Sequence, residues 1–215
     1  MWAMRLGAIV PCSFAFLLAA GLARAEEAPG DAATNYATKA KRRSDFTIGT
    51  GGAWGLGHAS GYPNEIQKIG DSQYRSTTKL GLGSGGGAWL GVAFNDYLTF
   101  GLGFGVVNAS GDGRKAGGGG FLFHVDLYPL FAVSPHLEDL GVFGNFGAGG
   151  LRITGGKEDA NGGFVSYVEG GLSYEHFRFW RMACGPTLSV LHLWSESANL
   201  SGVLLGARLA FYGGP

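Results

Sequence analysis

Residues 80 to 106 read LGLGSGGGAWLGVAFNDYLTFGLGFGV, and the identity of every second residue decides what they form. Leu80, Leu82, Ser84, Gly86, Ala88, Leu90, Val92 and Phe94 fall on one face of an extended chain, with Lys79, Gly81, Gly83, Gly85, Gly87, Trp89 and Gly91 on the other. Asn95-Asp96 suits a tight hairpin turn. Beyond it Leu98, Phe100, Leu102, Phe104 and Val106 resume the alternation against Tyr97, Thr99, Gly101, Gly103 and Gly105. Side chains alternate across a strand, so this period of two marks a hairpin with bulky apolar residues on one side and glycine on the other.

The rule extends in both directions. Upstream, Phe46, Ile48, Thr50, Gly52, Trp54 and Leu56 oppose Asp45, Thr47, Gly49, Gly51, Ala53 and Gly55. Downstream, a fourth strand is expected at about 119 to 131, with Phe121, Phe123 and Val125 against Leu122, His124, Asp126 and Tyr128. A fifth at about 140 to 153 fits either face, with Asn145 preferred inward. The sixth, about 163 to 176, sets Val168 and Leu172 against Tyr167, Glu169 and Ser173. The seventh, about 178 to 194, carries Trp180, Met182, Leu188 and Val190, and the eighth turns Val203, Leu205, Ala207, Leu209 and Phe211 away from Arg208 and Tyr212. Pro186 removes a ladder hydrogen bond, so a bulge is expected at Gly185-Pro186. The connections near 95–96, 132–139 and 175–177 are short or moderate, and those at 58–76, 109–118, 154–163 and 195–199 are longer, as an up-and-down meander requires.

Composition narrows the class. The 215 residues hold 41 Gly and only 7 Pro, with 46% hydrophobic and 13% aromatic residues, a balance foreign to disordered chains. Sixteen basic against sixteen acidic residues give no electrostatic case for a nucleic-acid partner. Arg5, the apolar run from Leu6 to Leu22 and Ala23-Arg24-Ala25 have the layout of a secretory signal peptide over residues 1–25, cleaved after Ala25. Residues 26–43 are small and polar and read as a flexible periplasmic leader; 44–212 form the barrel domain. The mature chain keeps Cys184 alone, so no internal disulfide holds it.

No helical period follows residue 43, so the apolar face must be covered by closure, which also removes the sheet edges. Parity alone does not separate a soluble lipocalin-like barrel from a membrane barrel, but the content of each face does. Asp45, Lys79, Asp126, Glu169, Arg181 and Arg208 gather with glycine on one side and suit a lumen, while Phe, Leu, Val and Trp on the other suit lipid. Aromatics cluster at both ends of the strands: Phe46, Phe94, Tyr97, Phe100, Tyr128, Phe131, Tyr174, Phe177, Phe179, Trp180, Phe211 and Tyr212 at the tight-turn end, and Trp54, Phe121, Phe164 and Trp194 at the loop end. On these residues the chain resembles the small eight-stranded outer-membrane proteins, such as the transmembrane domain of outer membrane protein A and the OmpX and OmpW types. Gly206, Leu209 and Phe211, within GARLAF, look like their C-terminal assembly signal, although Tyr212 to Pro215 extend past it. The resemblance implies an all-β, eight-stranded antiparallel transmembrane barrel in the cell outer membrane, with both termini periplasmic. Its expected partners are outer-membrane lipid and lipopolysaccharide, the assembly machinery, and a surface ligand on the four loops.

No cofactor or metal site is expected. Gly81 to Gly86 matches GxGxxG, but its glycines alternate inside a strand rather than leading into a helix. His58-Ala59-Ser60 and His192 with Glu196 are the residues that would serve an esterase, His58 and His192 lying about 10 Å apart around a closed barrel. Lipid A deacylases use such a His-x-Ser pair, though the flanking signature of those enzymes is missing. The leading expectation is a non-enzymatic barrel with a filled or nearly filled lumen and a structural, adhesive or surface-interaction role. The alternatives are a narrow channel for small or hydrophobic solutes, a lipid A esterase and a soluble lipocalin-like binder.

Overall fold

The computed structural model describes residues 41 to 214, so the signal peptide and residues 26–40 of the leader lie outside the described residues. Eight long strands form: β1 (Asp45–Gly61), β3 (Gly81–Asn95), β4 (Leu98–Gly111), β5 (Arg114–Leu127), β6 (Leu140–Thr154), β7 (Ala160–Tyr174), β9 (Met182–Trp194) and β10 (Ala198–Tyr212). Two short strands, β2 (Ser76–Thr77) and β8 (Phe177–Phe179), pair beside β1 and β9. Each long strand pairs antiparallel with its neighbour in sequence, and β10 pairs with β1 from Ala198↔Gly61 to Tyr212↔Thr47. The sheet is therefore a closed up-and-down barrel. At the terminal end Gly213 and Gly214 donate their N–H groups to the carbonyls of Phe46 and Ser44, which carries the closing seam past the strands.

The outward face is the apolar one. Trp54, Leu82, Phe104 and Phe164 are exposed on it, as are Phe46, Phe94, Phe177, Phe179 and Trp180 nearer the termini. A hydrocarbon-facing band bounded by aromatic residues is the surface that a membrane-spanning barrel needs. Tyr128, Phe131 and Tyr212 do not contribute to it. They are buried beneath the terminal end, where their rings and hydroxyls serve the interior.

All four loop boundaries differ from expectation. The loop expected at 109–118 is strand on both sides of a two-residue turn, Asp112-Gly113, whose φ values of 56° and 73° are those of a mirror-image hairpin turn. β1 runs on to Gly61, so the first connection spans 62–80, and the last two shrink to 155–159 and 195–197. The bulge at Pro186 is real but sits in the opposite strand. β9 stays in continuous register with β10 through Pro186↔Ala207, whereas its pairing with β7 stops at Ser173↔Thr187 and restarts with β8 at Phe177↔Cys184. Proline lacks the donor that the ladder would use there, and the extra residue on the other side turns Glu175 into the barrel.

Glycine on the inner wall answers a specific crowding. A Cβ added at Gly103, Gly120, Gly147 or Gly149 would overlap the carbonyl group of the adjacent strand rather than anything across the lumen. Tight curvature squeezes neighbouring strands together on the concave side, and glycine is what lets eight of them close. At Gly49 the space is used differently: the Trp89 ring lies where its Cβ would be.

Candidate functional site

The interior is divided into two layers. Toward the loop end Val107, Ala109, Leu151, Ile153, Val165, Leu191, Leu193 and Leu200 pack into a buried apolar plug. The loops tie down over it. Tyr62 N–H donates to the Ser197 carbonyl at 2.8 Å, Asn161 N–H to the Tyr62 carbonyl at 3.2 Å, and Thr78 N–H to the Ala59 carbonyl at 2.9 Å. The Ser76 hydroxyl donates to the Glu158 carbonyl at 3.1 Å, and Lys68 pairs with Glu158 at 2.8 Å. The 62–80 connection thus lies across the mouth as a cover.

Toward the termini the interior is a connected polar network. Arg208 on β10 grips Asp126 on β5 with both terminal nitrogens, at 2.6 and 2.8 Å, and reaches Glu175 at 2.9 Å. His124 bonds Asp126 at 2.9 Å and Asn145 at 2.7 Å, and the Asn145 amide donates to Glu169 at 2.9 Å. The Tyr167 hydroxyl donates to Glu169 at 3.0 Å. Asn145 therefore faces inward. A cavity of about 90 Å³ remains where this network meets the apolar plug, walled by Trp89, His124, Asn145, Tyr167, Glu169 and Arg208.

The terminal mouth is shut by a latch. Arg43 is fully buried, its guanidinium 3.4 Å above the Tyr128 ring, with ion pairs to Asp139 at 2.8 Å and Glu175 at 3.3 Å. Arg42 pairs with Glu138 and Asp139, Arg178 with Asp139, and the Asp96 carboxylate accepts the N–H groups of both Arg42 and Arg43. Burial opposes the Arg43 charge, but Tyr128, Glu175, Tyr212 and Asp139 outweigh it and hold the group protonated above its ordinary value. Burial likewise pushes the Asp139 carboxyl up, yet Arg178, Arg42 and Arg43 hold it below the usual carboxylate range. Arg42 and Arg43 are thus anchored side chains and do not belong to a flexible leader.

Of the six expected lumen charges the barrel brings together three: Asp126, Glu169 and Arg208. Asp45 and Arg181 are exposed at the terminal end, and Lys79 pairs with Asp112 at 2.8 Å on the loop rim. Asp45 and Lys79 have positive φ, 64° and 49°, and Arg181 follows Trp180 at 54°. Left-handed residues break the alternation that would have pointed them inward. Arg43, His124, Glu138, Asp139 and Glu175 take their place.

The esterase candidates divide differently. Ser60 is buried beside the mouth, where its Oγ accepts from Arg75 at 3.5 Å, and Glu196 is exposed in the 195–197 turn. Register instead places Ser201 between His58 and His192, and His192 Nδ1 lies 2.8 Å from Ser201 Oγ. The other His192 nitrogen has no carboxylate bonded to it among the described residues, and the ring stacks on Trp194 at 5.3 Å. Ser201 escaped the sequence reading because it lies outside the His-x-Ser unit, and only the β9–β10 register supplies it. Among the described residues no group of three or more His, Cys, Asp or Glu is placed to hold a metal ion.

Leu209 faces outward, and Phe211 meets Trp180 edge-on at 6.1 Å, so both residues of the C-terminal motif stand on the lipid side, with Gly206 on the inner wall.

No protein-family model and no curated protein matches the chain. Among solved structures it is similar to the attachment invasion locus protein Ail of Yersinia pestis, at 9% identity and a TM-score of 0.48, covering 78% of this chain and 99% of that one. It is also similar to Neisserial surface protein A, at 12% identity and a TM-score of 0.42, covering 76% and 95%. Outer membrane protein AlkL in lipid bilayers follows at 12% identity and a TM-score of 0.36, covering 83% and 95%. The likeness is one of architecture, and the strand pairing by itself makes this chain a closed eight-stranded antiparallel barrel.

Proposed function

We propose that the chain is a non-enzymatic, non-conducting barrel of the outer membrane that displays its loop end as a structural or adhesive surface. One observation carries this reading: the interior is sealed three times, by the 62–80 cover, the apolar plug and the Arg43 latch. A solute entering from either end meets packed side chains, and the cavity between the layers holds about 90 Å³, room for a few waters. The apolar outer face supports residence in lipid, Gly206, Leu209 and Phe211 would engage the assembly machinery, and lipopolysaccharide would surround the loop end. In this orientation both termini are periplasmic, and the 62–80 connection, the longest at that end, is the segment best placed to meet a surface partner. Purified chain reconstituted in a planar bilayer should give no unitary conductance. Stable steps would overturn the sealed-barrel reading and favour the narrow channel.

A second reading, ester hydrolysis at the lipid-facing rim, is favoured by the His192–Ser201 pair alone. Ser201 Oγ would add to an acyl ester while His192 took its proton and passed it to the departing alcohol, and water would then release the acyl group. Expression of the wild type should leave lipid A mass unchanged. Loss of an acyl chain that His192→Ala or His58→Ala abolished would establish the esterase instead.

A further inference from the structure

Among the described residues, the outer wall of the barrel carries a groove that the interior network does not explain. It measures about 420 Å³ and runs over β1, β3, β4 and β5 between Trp54, Leu82, Ser84, Asn108, Ser110 and Lys115. Strand pairing orders these residues into two adjacent rows on the outer face. Leu56, Leu82, Ser110 and Lys115 form the upper row; Trp54, Ser84, Asn108 and Gly117 form the lower one. Polarity changes along each row. Trp54 and Leu82, three-quarters exposed, make an apolar floor at one end. Asn108, Ser110 and Lys115 make a polar head at the other, one residue from the Asp112-Gly113 turn.

The charge at that head has no counter-ion. Three cations of the loop rim are matched by carboxylates, Lys79 with Asp112, Arg152 with Asp159, and Lys68 with Glu65 and Glu158, and the adjacent Arg114 donates to the Thr77 carbonyl at 2.8 Å. The Lys115 ammonium has no bonded acceptor among the described residues, although it projects from the face that meets lipid. A cation at the edge of hydrocarbon, with a hydroxyl and a carboxamide beside it and bare aliphatic and indole surface below, matches an anionic phosphate joined to an acyl chain. Below the groove the pair Gly52↔Gly86 on the outer wall raises no side chain against such a chain.

We propose that this groove seats a phosphate-bearing anionic lipid of the loop-side leaflet. Its phosphate is held by Lys115, Ser110 and Asn108, and one acyl chain lies along Leu82 and Trp54. The inference rests on the membrane-barrel reading, and the experiment keeps the two apart. Full mature chain is refolded into vesicles of equal parts phosphatidylglycerol and phosphatidylcholine, barrel formation is scored by heat-modifiable gel migration, and lipid retained on the protein is counted by native mass spectrometry. The wild type should retain phosphatidylglycerol over phosphatidylcholine, more strongly at low salt. Lys115→Gln should weaken that preference about fivefold, the effect of one basic residue near an anionic surface. Lys157→Gln, which removes an exposed loop cation of equal charge, should leave it unaltered. Equal preference in wild type and Lys115→Gln, or an equal loss in Lys157→Gln, would overturn the groove while leaving the barrel intact. Failure of the wild type to form a heat-modifiable barrel would overturn both.

Discussion

Arg208→Ala is expected to destabilise the barrel by about 3–5 kcal/mol, the cost of stripping one partner from a buried ion pair. Arg208 spans the lumen from β10 to β5, so its removal leaves Asp126 with His124 as its remaining partner and takes from Glu175 the cation 2.9 Å away. Both carboxylates would remain in an interior too tight to admit many waters. Arg208→Lys should recover part of the loss, because an ammonium keeps the charge but cannot grip both Asp126 oxygens at once. Urea unfolding in lipid vesicles, followed by tryptophan fluorescence, measures the change. A loss below about 1 kcal/mol, the range of solvent-exposed pairs, would mean that water screens the network.

Arg43→Ala is expected to cost a similar 3–5 kcal/mol without opening a pore. Its guanidinium covers Tyr128 and neutralises Asp139 and Glu175, none of which has solvent to replace it. The apolar plug lies on the far side of the polar network and does not depend on the latch, so conductance should stay at the wild-type baseline. The sign of the pH dependence follows from Asp139. Its carboxyl titrates below the ordinary aspartate value of about 3.9, so its contribution is complete above that value and is lost as pH falls through its own lower value. Hydrogen exchange over residues 41–43, normalised to a free peptide, should therefore rise in strong acid in the wild type. Conductance appearing in Arg43→Ala at neutral pH would show that the latch alone seals the barrel.

Period two made the barrel readable. The faces of β1, β3, β4 and β5 follow directly from alternation, and Asp126, Glu169 and Arg208 point inward for that reason. Alternation has no meaning outside a strand, which is why Arg43, Glu138, Asp139 and Glu175 were missed: they belong to the entry segment, a turn and a strand break. Pro186 was the available signal for Glu175, since a residue that cannot donate to the ladder forces an irregularity opposite it. The apolar plug was hidden by the same logic in reverse. Near the loop end Val106-Val107 and Leu204-Leu205 are apolar on both faces, and Ile153, Leu193 and Leu200 place bulk inward where the first strands place glycine. A loss of alternation there, rather than its presence, marked a filled interior.

The Arg208–Asp126 bridge has a consequence for how the barrel closes. β10 closes the barrel, and its two seams, with β9 and with β1, must agree in register. A slip of one residue would turn Arg208 outward and Leu209 inward, leaving a guanidinium in hydrocarbon at a cost of about 2–4 kcal/mol near the midplane, with Asp126 stranded inside. The apolar plug tolerates such an error poorly but not uniquely, because Leu204 and Leu205 are near equivalents. The charged bridge accepts a single alignment, so it acts as a checksum on closure at the strand where the two seams meet.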